Sequence, residues 1–220
     1  MAATSAVNTD GRREILGLGI GESEAKEFWL AFLRGLRQRG LAGVKRVISD
    51  AHEGLKAAIA QVFSASWQRC RVHFMRNLLA CVPKVSQAMV SALIRQVFVQ
   101  PDQAAAHQTW SQVADQLRAR FPKAAALMDW AEEDVLAYFA HPAPHRVKLH
   151  STNMLERLNK EVKRRANVVG IFPNEASILR LIGAVLMGSN EEWQLRHRYM
   201  PQHTMVDASA EVSPPIPLAA

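Results

Sequence analysis

The chain has 220 residues, 27 Lys and Arg against 20 Asp and Glu, a net charge of +7, a pI near 9.8 and 49% hydrophobic residues. That is enough apolar material for one large domain, or for one domain with an insertion, and the positive balance favours a polyanionic partner. Two cysteines and no secretory n-region indicate a reducing cytosol, and the most apolar stretch, 178–187, contains Arg180 and is too short for a bilayer, so it reads as a buried helix.

Thr9-Asp10-Gly11 is a hairpin-turn signal, and 13–20 reads as the strand that follows it. Residues 23–37 predict an amphipathic helix with Phe28, Trp29, Phe32, Leu33 and Leu36 inward and Gly40 as its stop. A β-branched run over 44–49 predicts a short strand ending at Asp50, and Leu55, Ile59, Val62 and Phe63 give helical spacing over 51–63. Asp50 therefore sits at the carboxyl end of a strand, the edge where open α/β sheets bind ligands. Asp50 with Glu53 also fits a helix cap and capping box, and both readings stand. Next comes Trp67-Gln68-Arg69-Cys70-Arg71-Val72-His73-Phe74. As a zinc site its Cys-x2-His pair is half a set, because a structural zinc takes four ligands; the other reading is a packed Cys with a hydrogen-bonded His.

From 74 to 139 there is almost no strand signal. Helices are predicted at 74–81, 84–98, 102–120 and 123–140, separated by Pro83, Pro101 and Pro122, each suited to a helix start. The last carries Leu127, Met128, Ala131, Val135 and Phe139 at packing spacing, with Trp130 and Tyr138 beside them. Residues 141–150, with Pro142 and Pro144, read as an extended linker. His145, Arg146, Lys148 and His150 there are candidate phosphate contacts or a solvated loop. A helix then begins near Asn153, with Leu155, Leu158 and Val162 on one face and Glu156, Lys160 and Lys163 roughly opposite. Asn153 with Glu156 is a capping-box pattern, and Glu156 with Lys160 an ordinary i,i+4 pair. Between 145 and 165 stand seven Lys or Arg (146, 148, 157, 160, 163, 164, 165) against two acids (156 and 161). Helices over 174–187 and 191–199, the second with Trp193 inward, complete the chain, and the Ala-, Ser- and Pro-rich tail 205–220 reads as disordered. No internal repeat is present.

Taken as a set, Val47-Ile48-Ser49-Asp50-Ala51-His52-Glu53-Gly54-Leu55, then Trp67 to Phe74 with its Cys-x2-His, then Thr152-Asn153-Met154-Leu155-Glu156-Arg157-Leu158-Asn159, resemble the bacterial Mutator-type insertion-sequence transposases, from about residue 7 to residue 200. The resemblance implies an α/β fold, a ribonuclease-H-like core interrupted by a large all-helical insertion, with an Asp-Asp-Glu triad holding two Mg²⁺ (or Mn²⁺) ions. On that basis Asp50 is the second aspartate and Glu156 the glutamate, both catalytic and both metal ligands. Cys70 and His73 match the family signature, whose role does not follow from the motif. The family's first aspartate lies on a first core strand that the chain, opening at Met1, starts too late to contain; Asp10, in the turn signal, is no substitute. The implied core is thus truncated: 1–73 partial core, 74–140 insertion, 141–200 remainder of the core with the Glu156 helix, 201–220 tail. Two-metal phosphoryl transfer needs both ions held about 3.5 to 4 Å apart, so a missing carboxylate removes most of the rate.

Two function classes follow. One is a transposase that cleaves element ends and transfers the freed strand to target DNA, homo-oligomeric when intact, nucleoid-associated in the cytoplasm, with no membrane or small-molecule partner, and inactive in this truncated form. The other is a non-catalytic DNA-binding or assembly fragment that modulates a full-length relative. In either, Arg146, Lys148, Arg157, Lys160, Lys163, Arg164 and Arg165 are the candidate DNA contacts. A helical metal or interaction module around Cys70 and His73 is a third class, distinguished by stoichiometric zinc, which the incomplete ligand set argues against. No N-terminal helix-turn-helix reader is recognisable.

Overall fold

The structure, a computed structural model, describes residues 2–21 and 25–201. The expected disordered tail and the predicted helix start at 23 lie outside those residues. The chain forms two compact units. One comprises residues 1–45, 53–65 and 152 onward, and the other residues 46–52 and 66–151.

The first unit opens with a hairpin. Strands β1 (Ala2–Val7) and β2 (Arg13–Gly19) pair antiparallel, with an irregularity between Thr4 and Ser5. Asn8 builds the turn: its Oδ1 accepts from the backbone N–H of Asp10 (3.1 Å) and of Arg12 (3.0 Å). Gly11 has φ +76°, and a Cβ there would lie 2.2 Å from the carbonyl oxygen of Met200, so only glycine fits.

Helix α1 (Lys26–Gln38) buries Trp29, Leu33 and Leu36, while Phe28 and Phe32 are only half-buried. It ends as its sequence requires. Gly40 takes φ +103°, its N–H donates to Arg37 O at 3.0 Å, and the N–H of Leu41 donates to Leu36 O at 3.1 Å, a Schellman closure. Helix α2 (Glu53–Val62) buries Ala58, Ile59 and Val62 and packs on α1, and Arg37 Nη1 caps the end by donating to Val62 O (3.1 Å).

The same unit holds α8 (Asn153–Val169) and α9 (Glu175–Leu195), whose Leu158, Val162, Ile182 and Leu186 form a small core with Ile15 and Leu18 of β2. Here the sequence reading needs two corrections. The predicted helices 174–187 and 191–199 are one helix, because Gly188-Ser189-Asn190 does not break it: Asn190 Oδ1 accepts the N–H of Ile15 at 2.9 Å, and that strand contact holds the helix through a locally unfavourable sequence. The segment 178–187 is not wholly buried either. Ile182 and Leu186 are inside, but Leu179 and Met187 face outward, so α9 is half-buried along its length. Trp193 is inward as expected, with the Arg13 guanidinium 4.5 Å above its ring. Among the described residues no helix is long and apolar enough to cross a membrane.

The second unit contains β3 (Arg46–Ser49) and β4 (Ser66–Arg69), paired parallel, and the helices α3 (Arg71–Ala80), α4 (Lys84–Phe98), α5 (Gln103–Arg118) and α6 (Pro122–Leu136). All four helices agree with the predicted ones to within a few residues, and the prolines mark their starts. Pro83 is the N-cap of α4 and Pro122 opens α6, while Asp102, just after Pro101, caps α5 by accepting from Ala105 N–H at 2.8 Å. The bundle core is centred on Trp110, which is fully buried, stacks on Phe74 at 5.2 Å and donates its Nε1–H to Met128 O at 3.2 Å. Tyr138 and Phe139 are buried in this core as their spacing suggested, whereas Trp130 is 56% exposed.

The extended linker expected at 141–150 is instead a short helix, α7 (Ala143–Leu149). Pro142 stands at its N-cap and Pro144 in its first turn, positions where a missing N–H costs no hydrogen bond, so the prolines start the helix rather than prevent it.

Trp110→Ala is expected to remove both the stacking and the Met128 bond and to leave a large void, lowering stability by about 3 to 5 kcal/mol in urea titrations followed by far-UV circular dichroism.

Candidate functional site

Strands β3 and β4 pair with Ser49 opposite Arg69. In a parallel pair both carboxyl ends lie on one edge, so the next residues, Asp50 and Cys70, emerge side by side. The Cys70 N–H donates to Ser49 O at 2.8 Å, extending the pairing by one rung. Cys70 is fully buried and is the N-cap of α3, and the first turn of that helix carries His73, whose Nδ1 meets Oδ1 of Asp50. The Asp50 side chain is 54% exposed and that of His73 19%. The backbone of Asp50 is held too: Trp67 Nε1–H donates to Ser49 Oγ at 2.8 Å, and Ser49 Oγ–H donates to Asp50 O at 2.8 Å. Asp50 is not the N-cap of the following helix, since α2 begins at Glu53 and its N-cap position is His52.

Glu156 belongs to the other unit. Helix α8 has Thr152 at its N-cap, with no side-chain cap bond, and Thr152 O accepts the N–H of Glu156 at 3.0 Å. Asn153 is thus the first helical residue, and the expected Asn153–Glu156 capping box does not form, because the helix starts one residue earlier than the cap reading requires. Leu158 and Val162 face the core. Asn153, Glu156, Arg157 and Lys160 line a shallow, open depression on the opposite side. One turn on, Glu161 binds Arg164 through two bonds (2.9 and 2.7 Å) and Arg165 through one (2.9 Å). Hydrogen bonds from those two guanidinium groups, Arg164 first, pull the Glu161 carboxyl down to about 2. Lys163, like Arg157 and Lys160, is exposed.

The remaining predicted contacts lie on α7. Arg146 is engaged within the protein: its Nε donates to His141 O (2.8 Å), its Nη1 to Pro101 O (2.7 Å), and its guanidinium lies 5.2 Å over the Phe139 ring. His145 is buried, and Lys148 is exposed. Burial, reinforced by Arg46, His145 and Arg146, lowers the His141 pKa to about 4, and burial with Arg71 nearby also lowers that of His150. Both imidazoles are therefore neutral at pH 7 and add nothing to the positive field.

Carboxylates are the hard oxygen donors that Mg²⁺ and Mn²⁺ take, so Asp50 and Glu156 match such an ion in kind. They fall short in number. Among the described residues no three His, Cys, Asp or Glu side chains gather, and Asp50 and Glu156 lie in different units. No metal-dependent step follows from these residues alone.

A family model described as transposase, Mutator family, matches residues 1–196. The chain is 44% identical over 210 residues to the transposase for insertion sequence element IS1081 of Mycobacterium tuberculosis, covering 95% of this chain and 51% of that protein. It is 40% identical over 190 residues to the transposase for insertion sequence element IS256 in transposon Tn4001 of Staphylococcus aureus, covering 85% and 48%. It is also 40% identical over 198 residues to the transposase for insertion sequence element ISRM5 of Rhizobium meliloti, covering 88% and 49%. The chain spans about half the length of the curated relatives it matches.

The low pKa of His141 has a consequence for stability. Between its folded value near 4 and the ordinary 6.5, the unfolded chain binds the proton more tightly, so stability is complete above pH 6.5 and is lost as pH falls toward 4. Relative to His141→Phe, the wild type is expected to lose about 2 to 3 kcal/mol over that interval, read from urea midpoints at pH 7 and pH 4.

Proposed function

The chain belongs to the Mutator family of transposases, and from that membership we propose that it takes part in transposition of an insertion sequence, by metal-dependent phosphodiester cleavage and strand transfer. In this reading Asp50 and Glu156 are two of the three carboxylates of the reaction site, and Mg²⁺ or Mn²⁺ is the cofactor of the assembled enzyme. The fold that suits this role is a ribonuclease-H-like core, made of 1–73 and 141–200, with the helices of 74–140 inserted into it. DNA, as element ends and target, is the partner, with a homo-oligomer in the nucleoid-associated cytoplasm as the working form.

The observation that carries the DNA half of this reading is the polar face of α8, where Arg157, Lys160 and Lys163 are exposed on the same helix as Glu156. Phosphate contacts of this kind fix register and orientation without reading sequence. A duplex laid along that face would bring its backbone to the glutamate. Arg164 and Arg165 lend charge, but each is shared with Glu161. Lys148 is exposed on α7 and is a further candidate for a phosphate contact.

For these 220 residues taken by themselves we favour the second reading, DNA binding without cleavage. What supports it is that no third donor joins either carboxylate among the described residues. Such a polypeptide would still occupy DNA or assemble with a longer relative and so modulate its activity.

Affinity for a short duplex, measured by fluorescence anisotropy, is expected to fall steeply with salt, and the double substitution Lys160→Gln, Lys163→Gln to reduce the slope of log K against log salt by roughly 2. An affinity independent of salt would sink the assignment of this face to phosphate.

A further inference from the structure

We propose that His73 is a positioning residue that fixes the carboxylate of Asp50, and that Cys70 is the buried pivot that aims it. The proposal rests on the reading of Asp50 as a reaction-site carboxylate and gives the Cys-x2-His signature a geometric role. Asp50 follows a four-residue strand and is more than half exposed, so nothing in its own sequence selects one rotamer. The Nδ1 atom of His73 is sealed from solvent and faces Oδ1 of Asp50, so the contact is made on the protein side of the carboxylate.

The spacing follows from helix geometry. Cys70 is the N-cap of α3 and His73 its third residue. Helical side chains lean toward the N-terminus, so a residue at that position reaches back over the helix start, and the parallel pairing has put Asp50 there. Cys70 makes the start rigid: its N–H donates to Ser49 O and its carbonyl accepts from Phe74 N–H at 2.9 Å, while Phe74 is fully buried. A small side chain is required where two strand ends converge with no solvent access, and cysteine meets that need without placing a strongly polar atom there. Support of a reacting carboxylate from behind is the usual arrangement of outer groups around a hard-ion site.

The test uses the 220-residue chain labelled with ¹³C at aspartate Cγ, the Asp50 resonance being assigned by its loss in Asp50→Asn. His73→Ala is expected to shift and broaden that resonance. His73→Asn, whose amide nitrogen occupies the place of Nδ1, is expected to restore it, and His73→Gln, which reaches the place of Nε2, is not. Added Mn²⁺ is expected to broaden the Asp50 signal, with about ten-fold more ion needed in His73→Ala and near wild-type amounts in His73→Asn. An Asp50 resonance unchanged by His73→Ala, or restored equally by Gln and Asn, overturns the proposal. If the variants behave as expected but Mn²⁺ leaves the wild-type Asp50 signal untouched, the reaction-site reading of Asp50 falls and the contact is structural only. Should His73→Ala fail to fold, the comparison of Asn with Gln decides.

Discussion

Everything distinctive about the Asp50 site depends on two four-residue strands pairing in parallel. Antiparallel pairing would send the residues after Ser49 and Arg69 to opposite edges, and a parallel slip of one residue would turn the alternate set of side chains to each face. So short a ladder contributes few hydrogen bonds of its own, and its register is held from outside. Gln68, fully buried, donates to Val135 O at 2.9 Å and ties β4 to the helical core, while the Arg69 guanidinium lies over the rings of Phe74 and Trp130 at 5.4 and 5.3 Å. The helices from 71 to 149 are therefore more than an appendage to the strands: they set the edge on which Asp50 stands.

The positive charge of the chain divides into two populations with different uses. Arg46 is buried enough that desolvation lowers its pKa to about 10, and Arg69 and Arg146 serve as packing and hydrogen-bonding groups inside the second unit. Arg13 does the same work in the first unit between Trp193 and Tyr199. Among the candidate contacts the exposed cations are a smaller set: Arg157, Lys160, Lys163, Arg164 and Arg165 on α8, and Lys148 on α7. A count of basic residues along the chain overstates this field, because arginine fills aromatic and carbonyl-lined sites that lysine does not.

Local patterns that carry their own physical cause were legible in the sequence. The prolines marked the starts of α4, α5 and α6 because a missing N–H is harmless there, Gly40 marked the end of α1 because the backbone takes a positive φ, and Asn8 to Gly11 marked the first turn. The readings that missed did so where a distant partner decides. Residues 188–190 fall between two predicted helices that the strand contact of Asn190 joins into one, 141–150 reads as extended from two prolines that in fact open a helix, and in 178–187, apolar but for Arg180, the outward face could not be told from the inward face.

The sequence by itself determined the family, most of the helices, and Asp50 and Glu156 as the acids to examine, since each of these rests on residue types at fixed spacing. It carried Cys70 and His73 as a signature without a role. Only the tertiary structure shows what His73 meets, because its contact with Asp50 spans 23 positions and exists only once parallel pairing has brought two strand ends to one edge. The same holds for charge: spacing identifies which residues are cationic, but burial and hydrogen bonding decide which of them face a partner, and those are properties of the folded chain.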